Sequence, residues 1–264
     1  NERAAQGKLD RHGDFACRLA FVLSGRDIDA QHQFQTFGAS RHSYLHPGRF
    51  LFVIIRQINE KTLMKIHPTA VVEDGARLGA DVEVGPFAHI GANVVIGDGT
   101  VVRQGAIIDG HVTIGSKCEI FPYALIGMKT QDLKYKEGST SYVEIGDRTV
   151  IREFATVHLG TADGEKTVIG SDCLFMCYCH AAHGVILGDH VICSNSVQLA
   201  GDVHIQDWAI VGGCSASHQF CTVGCHAMVG GLTKIRQDVP PYMLCDMDGG
   251  YMKVIGVNAV EARL

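Results

Sequence analysis

The feature that most constrains the fold of this chain is a six-residue repeat of aliphatic side chains. From Ile66 to Ile126 an aliphatic residue returns at every sixth position, and the period resumes at Ile145 and again at Ile169, running on to Ile235. A period of six matches neither the 3.6 residues of a helical turn nor the simple two-residue alternation of a strand. It predicts an all-β fold, a parallel β-helix in which each hexad forms one flat face and three hexads make one coil.

Glycines recur within this repeat, and two polar stretches interrupt it. Gly often follows the aliphatic residue directly, as in Leu78-Gly79 and Val84-Gly85, and we interpret these glycines as corners that need unusual backbone dihedrals. Residues 128–144 and 161–168 leave the repeat and are polar, which predicts two loops ejected from the helix. The repeat domain is therefore expected to span residues 64–242.

Residues 1–63 show no such period. They contain no Met, and the first Met of the chain, Met64, stands just before the repeat begins at Ile66. We expect residues 1–63 to be an unpatterned N-terminal extension. We favour an upstream translation artefact, with the functional protein beginning at Met64, and the alternative is a small accessory domain.

Composition excludes several classes of partner. The formal net charge of −5 gives no general attraction to nucleic acid. No apolar run approaches the roughly 20 residues that a membrane-spanning helix needs, so we expect no stable membrane insertion and a cytoplasmic protein.

The cysteines invite two interpretations. Most of the ten cysteines stand inside the repeat. Four of them occupy the fifth hexad position, where a small side chain turns inward, and Cys193 occupies the first, aliphatic position; the four are Cys118, Cys173, Cys179 and Cys221. Buried free cysteine behaves as a small hydrophobic residue. The alternative is a zinc site formed by Cys173, Cys177, Cys179 and His180. We favour packing, and expect no metal.

Histidines supply the candidate chemistry. His180 and His183 lie close together in the sequence, and successive steps of three hexads from His183 reach Gly201 and then Gln219, so these positions should stack in one column. His218 lies beside that column, and His158 lies between the two ejected loops. Imidazole is the usual general base near neutral pH, and Gly201 would leave room for a substrate. The alternative is a set of purely structural histidines.

Several segments carry a resemblance to a known family. They are Gln131–Tyr135, Val143–Arg148, Ile151–Glu153, His158–Thr161, His180–His183, Leu199–Gly201, His218–Cys221, Met228–Gly231 and Gln237–Tyr242. With them, the chain from Met64 to Asn258 resembles the acyl-[acyl-carrier-protein]–UDP-N-acetylglucosamine O-acyltransferases, which catalyse the first step of lipid A synthesis.

The resemblance implies a left-handed helix, a homotrimer with active sites between subunits, and no cofactor. The reaction would move a 3-hydroxyacyl chain from acyl-carrier protein to the 3-hydroxyl of UDP-N-acetylglucosamine. A C-terminal helical domain is also implied, of which residues 243–264 would be only the truncated start. The acyl chain length, and a glucosamine or a diamino-sugar acceptor, stay open.

Residue by residue, the resemblance makes His183 the general base and a backbone N–H near Gly201 the oxyanion donor. Gly231 matches the position that limits acyl length, and a Gly there suggests a longer chain. The substrate-binding positions would be Asp132, Lys134, His158, His180, Gly201, Asp202, His218, Gln219, Gly231 and Asn258.

One departure stands beside the catalytic position. The family has Asp directly after the catalytic His, where this chain has Gly184. Because Asp202 lies one predicted coil beyond Gly184, we hypothesise that it supplies the missing carboxylate. Three alternatives to the O-acyltransferase are a sibling N-acyltransferase of the same pathway, a zinc-dependent lyase like the β-helical carbonic anhydrases, and an inactive scaffold.

Overall fold

The computed structural model describes residues 66–248 and 251–258, so the predictions for residues 1–63 and 259–264 lie outside the described residues. Every regular element in the described part is a strand, and no helix there could cross a membrane. The strands are β1 (Val71–Val72), β2 (Arg77–Leu78), β3 (Glu83–Val84), β4 (His89–Ile90), β5 (Val94–Ile96), β6 (Val101–Val102), β7 (Ile107–Ile108), β8 (His111–Ile114), β9 (Glu119–Ile120), β10 (Leu125–Met128), β11 (Tyr142–Ile145), β12 (Val150–Ile151), β13 (Thr156–His158), β14 (Lys166–Ile169), β15 (Leu174–Phe175), β16 (His180–Ala181), β17 (Ile186–Leu187), β18 (Ile192–Cys193), β19 (Gln198–Leu199), β20 (His204–Ile205), β21 (Ile210–Val211), β22 (Ala216–Ser217), β23 (Thr222–Val223), β24 (Met228–Val229), β25 (Lys234–Ile235), β26 (Met243–Asp248) and β27 (Tyr251–Val257).

The strands form three sheets, and successive strands go to successive sheets. Face one runs β1-β4-β7 and onward to β25, face two runs β2-β5-β8 to β23, and face three runs β3-β6-β9 through β24 to β26 and β27. From β1 to β22, each strand pairs in parallel with the strand three places later, as β16 does through His180 and Gln198 and β15 through Leu174 and Ile192. The predicted parallel β-helix of hexads is confirmed.

The core is the column of inward side chains along each face. On face one, Ile90, Ile108 and Ile126 are fully buried and lie directly above one another. The predicted inward cysteines Cys118, Cys173, Cys179, Cys193 and Cys221 are buried too. Each coil thus covers the apolar face of the coil before it, and truncating one of these isoleucines to Ala would cost about 2–5 kcal/mol.

The glycines that follow the aliphatic residues have another role than the one predicted. Gly79, Gly85 and Gly97 do not have a positive φ, so the expectation of unusual dihedrals at these positions is wrong. A Cβ at Gly97 would instead lie 2.6 Å from the carbonyl carbon of Gly115 in the next coil. Glycine is needed at this position because adjacent coils approach backbone to backbone.

The left-handed corners are mostly occupied by larger residues. Tyr123, Phe154 and Tyr178 have φ near +60°, and their rings stack at centroid distances of 5.4 and 5.1 Å. The N–H of each corner residue bonds to the coil below, as Tyr178 does to the carbonyl of Glu153 at 3.0 Å. This bond and the ring stacking offset the strain of a left-handed conformation.

The two ejected loops are shorter than predicted. Strand β10 extends to Met128 and β11 begins at Tyr142, so the first loop comprises residues 129–141. The second loop comprises residues 159–165, between β13 and β14. The flanking strands lengthen because β11 pairs with both β8 and β14 along its whole length.

The predicted helical start at residue 243 is wrong for the described residues. Strands β26 and β27 form an antiparallel hairpin, and β26 continues face three by pairing in parallel with β24 through Leu244 and Cys245. The hairpin satisfies backbone groups that the last strand of face three would otherwise leave at an open edge.

Candidate active site

The candidate site is a corner between face one and face two. His183, Gly201 and Gln219 occupy this corner on successive coils, as predicted. The stacking is visible in the backbone, where the N–H of Asp202 donates to the carbonyl of His183 at 3.0 Å and the N–H of Phe220 donates to that of Gly201 at 3.3 Å. The regular coil length therefore brings widely separated residues into one column.

The His183 imidazole lies between two carboxylates, one on each ring nitrogen. Its Nε2 is 3.3 Å from Asp132 Oδ2 and its Nδ1 is 3.3 Å from Glu165 Oε1. The three side chains are only 16%, 19% and 21% exposed, in the order His183, Asp132 and Glu165. A histidine held on both sides in a partly dehydrated site is well placed for proton transfer.

The first loop holds Asp132 in this position. Asp132 Oδ1 accepts the backbone N–H of Lys134 at 2.9 Å, and the N–H of Asp132 donates to Thr130 Oγ1. The buried hydroxyls of Thr130 and Thr161 share a hydrogen bond of 3.1 Å. The two loops are therefore tied together next to the imidazole.

Glu165, the last residue of the second loop, is the site residue that the sequence analysis missed. The signal was present, because a step of three hexads back from His183 reaches Glu165, in the same column one coil below. Register through β14 and β17 confirms this offset, since Val168 pairs with Ile186. Position 165 lies inside the predicted loop 161–168, where the hexad register is not expected to hold.

Gly201 lies over the imidazole. A Cβ at Gly201 would overlap Nε2 and Cε1 of His183, so the missing side chain makes room for the imidazole itself rather than for a substrate. The N–H of Gly201 has no acceptor among the described residues. This N–H is a candidate donor to a bound ligand.

His158, at the end of β13, and His180, at the start of β16, form a pair of neighbouring histidines. Their rings meet edge to face at 4.7 Å, and His180 Nδ1 is 2.7 Å from Thr156 Oγ1. Burial lowers the pKa of His180 to about 4, with the neighbouring His158 adding to the effect, and burial also lowers the pKa of His158. Both rings are therefore neutral near pH 7 and suited to hydrogen bonding.

The remaining predicted positions are more scattered. His218 and Gln219 are exposed at the same corner as His183, and Lys134 is exposed on the first loop. Gly231 follows β24, at the corner between face three and face one. Asn258 is buried and donates from Nδ2 to the carbonyl of His226 at 3.0 Å, at the corner between face two and face three.

Two side-chain groups bear on metal binding. Within the described ranges, Glu165, His183 and Asp202 could each offer a ligand atom, and these atoms lie within 4.8 Å of one another. The thiols of the alternative zinc site do not share a common centre. Cys177 donates to Glu153 Oε2, while Cys173 and Cys179 donate to separate backbone carbonyls. Burial raises the pKa of both Cys173 and Cys179 to about 11, which disfavours metal-binding thiolates.

The chain is similar to known proteins in both sequence and fold. The family described as "Bacterial transferase hexapeptide (six repeats)" matches residues 75–110. An acyl-[acyl-carrier-protein]–UDP-N-acetylglucosamine O-acyltransferase of Campylobacter concisus is 38% identical over 202 residues, which cover 76% of this chain and 77% of that protein.

Two solved structures are similar as well. The UDP-N-acetylglucosamine acyltransferase of Francisella novicida superposes with a TM-score of 0.73 at 40% identity, over 75% of this chain and 72% of that one. That of Campylobacter jejuni superposes with a TM-score of 0.70 at 40% identity, over 75% and 77%.

Proposed function

The chain belongs to the acyl-[acyl-carrier-protein]–UDP-N-acetylglucosamine O-acyltransferases, and we propose that His183 is the general base of its acyl transfer. The observation that carries this assignment is the imidazole fixed between Asp132 and Glu165, beside Gly201, whose N–H has no acceptor in the described part of the chain. The reaction moves a 3-hydroxyacyl chain from acyl-carrier protein to the 3-hydroxyl of UDP-N-acetylglucosamine. Family membership favours this reaction over those of the N-acyltransferase and the lyase, and the inactive scaffold is tested by the rate of acyl transfer below.

The proposed reaction has two steps. The sugar hydroxyl gives its proton to Nε2 of His183 while its oxygen attacks the thioester carbonyl, and the new oxyanion accepts the N–H of Gly201. The tetrahedral intermediate then breaks its C–S bond. The departing carrier-protein thiolate takes the proton back from the imidazolium, so the base is restored without a cofactor.

Asp132 supports the placement of the sugar. Its Oδ2 lies 3.3 Å from Nε2, so a hydroxyl entering between the first loop and the imidazole can contact both groups. We assign the sugar nucleotide to this side, with Lys134, His158, His180, Asp202, His218 and Gln219 around it. Hydrogen bonds from several fixed groups hold the attacking oxygen near the thioester.

We further propose a cytoplasmic homotrimer with its sites between subunits. Within one chain, Gly231 and Asn258 lie at corners other than that of His183. A neighbouring subunit would bring such corners to the His183 column. In that arrangement Gly231 would limit the length of the acyl chain, and its lack of a side chain favours longer ones.

The assignment of His183 is tested by the rate of acyl transfer from 3-hydroxyacyl-carrier protein to UDP-N-acetylglucosamine. His183→Ala should lower kcat by about 100-fold or more, because general-base catalysis contributes that much. His204→Ala is the matched control, since His204 is exposed on face two, and it should keep the normal rate. A fully active His183→Ala enzyme would refute the assignment.

A further inference from the structure

The two carboxylate oxygens of Glu165 contact different partners. Oε2 accepts the backbone N–H groups of Thr161 at 2.8 Å and Ala162 at 2.7 Å, while Oε1 faces His183 Nδ1 at 3.3 Å. Two backbone donors on one oxygen fix the orientation of the whole group. The second oxygen is therefore held against the imidazole by the fold of the second loop.

Gly184, the residue after His183, leaves the space beside the imidazole open to Glu165. A Cβ at Gly184 would lie 2.7 Å from Glu165 Oε1 and would overlap Asp202 Oδ1. The carboxylates of Glu165 and Asp202 thus fill the space that a side chain at position 184 would need. Gly184 and these two acids form one arrangement in which the carboxylate comes from the neighbouring coils.

Of the two acids, only Glu165 bonds to the ring. Among the described residues, the carboxylate of Asp202 makes no hydrogen bond to His183, and the Asp202 contact with that residue is the backbone bond of 3.0 Å. The hypothesis that Asp202 replaces the missing Asp therefore needs correction. Asp202 lies close to the site, whereas Glu165 has the geometry of an acceptor for Nδ1–H.

We infer that Glu165 is the positioning residue of His183 in this chain. Its Oε1 accepts the hydrogen bond from Nδ1–H, which leaves the Nε2 lone pair to take the proton of the sugar hydroxyl, and its negative charge stabilises the imidazolium formed during the reaction. The inference rests on the proposed role of His183 as general base. It adds a residue from the second loop, outside the hexad repeat, to the catalytic geometry.

Glu165→Gln tests the inference sharply because the two loop N–H groups still demand an oxygen. The amide must then turn its NH₂ toward Nδ1, so Nδ1 becomes an acceptor and the ring proton moves to Nε2. That tautomer cannot take a proton from the hydroxyl. We expect kcat to fall by at least about 10-fold, with KM within about 2-fold, since wrong-tautomer variants of comparable catalytic histidines lose up to about 10⁴-fold.

The matched control is Glu144→Gln. Glu144 is a carboxylate on the strand that pairs with β14, and it makes an ion pair of 2.7 Å with Lys166, the residue after Glu165, without touching His183. This variant should keep the normal kcat. A merely structural role for Glu165 would lower the fraction of folded enzyme without changing the tautomer, so the ring ¹⁵N signals of His183 are the second readout.

With one proton on the ring, the ¹⁵N spectrum of the folded wild type should show the proton of His183 on Nδ1, and that of folded Glu165→Gln should show it on Nε2. An unchanged tautomer, or an unchanged kcat, would overturn the inference. So would a loss seen only in Asp202→Asn. If His183→Ala is inactive while Glu165→Gln is normal, the positioning role fails and the proposed function stands. If His183→Ala is fully active, the proposed function itself fails.

Discussion

At the scale of single residues, the histidines of the site divide by what surrounds them. His183 has a carboxylate on each nitrogen, whereas His180 has a hydroxyl partner and a second imidazole beside it. The first environment suits a ring that gains and loses a proton, and the second suits a ring that stays neutral. Two neighbouring imidazoles can therefore serve different roles in one site.

The neutral state of His180 predicts a stability change with pH. The pKa of His180 in the folded protein is about 4, below the usual 6.5. Between these two pH values the unfolded chain binds a proton at His180 and the folded chain does not. The free energy of unfolding therefore falls as the pH drops from 6.5 toward 4. We expect a loss of about 1 kcal/mol between pH 7 and pH 5, after allowance for partial solvent exposure of the ring.

Urea unfolding at both pH values, for wild type and His180→Asn, isolates this contribution. The variant should lose less stability on acidification by about 1 kcal/mol. Equal pH dependence in the two proteins would show that His180 does not resist protonation. His204→Asn, at an exposed position, should behave as the wild type does.

Residue-level inference from the sequence succeeded where the coil period could be counted. The stacking of His183, Gly201 and Gln219 follows from steps of three hexads alone. The position of Glu165 in that column follows from the same step, whereas its bond to His183 depends on how the second loop turns its backbone N–H groups toward Oε2. Loop conformation of this kind leaves no periodic trace in a sequence.

At the scale of elements, the spacing between coils is limited by backbone contact at glycines. Gly97 is a sharp case, because a Cβ there would lie 2.6 Å from the Gly115 carbonyl carbon and 2.7 Å from the Ser116 nitrogen. Backbone atoms at the corner after β8 cannot move aside as a flexible side chain would. A methyl group at this position must therefore separate two coils locally.

We predict that Gly97→Ala destabilises the protein by about 1–3 kcal/mol, the usual cost of overpacking. Gly256→Ala is the control, because a Cβ there meets nothing within 4 Å, and it should change the stability by less than about 0.5 kcal/mol. Thermal and urea unfolding of the two variants measure the difference. If the Gly97→Ala protein were as stable as the wild type, the two coils would be able to separate at this position at no cost in stability.

Elements outside the hexad pattern were the hardest to predict. The longer strands β10 and β11 take in residues that the repeat had assigned to a loop. The hairpin of β26 and β27 breaks the hexad spacing, because Cys245 pairs with Val229, which lies less than three hexads away. Pairing partners at the end of a solenoid are set by the edge left open there, which the sequence spacing does not encode.

At the scale of the whole molecule, the left-handed β-helix acts as a rigid frame for two loops. Three parallel sheets fix the corner that holds His183 and Gly201. The first loop brings Asp132, the second brings Glu165, and the buried Thr130–Thr161 bond joins them. The period alone gives this frame, while its handedness came from the family resemblance.

The most direct test of the account is the identity of the product. Wild-type protein incubated with 3-hydroxyacyl-carrier protein and UDP-N-acetylglucosamine should yield a sugar nucleotide heavier by one 3-hydroxyacyl group. Proton NMR should place that group as an alkali-labile ester on the 3-oxygen of the sugar, and His183→Ala should give almost none. An amide product, or no acylated sugar from the wild type, would contradict the account.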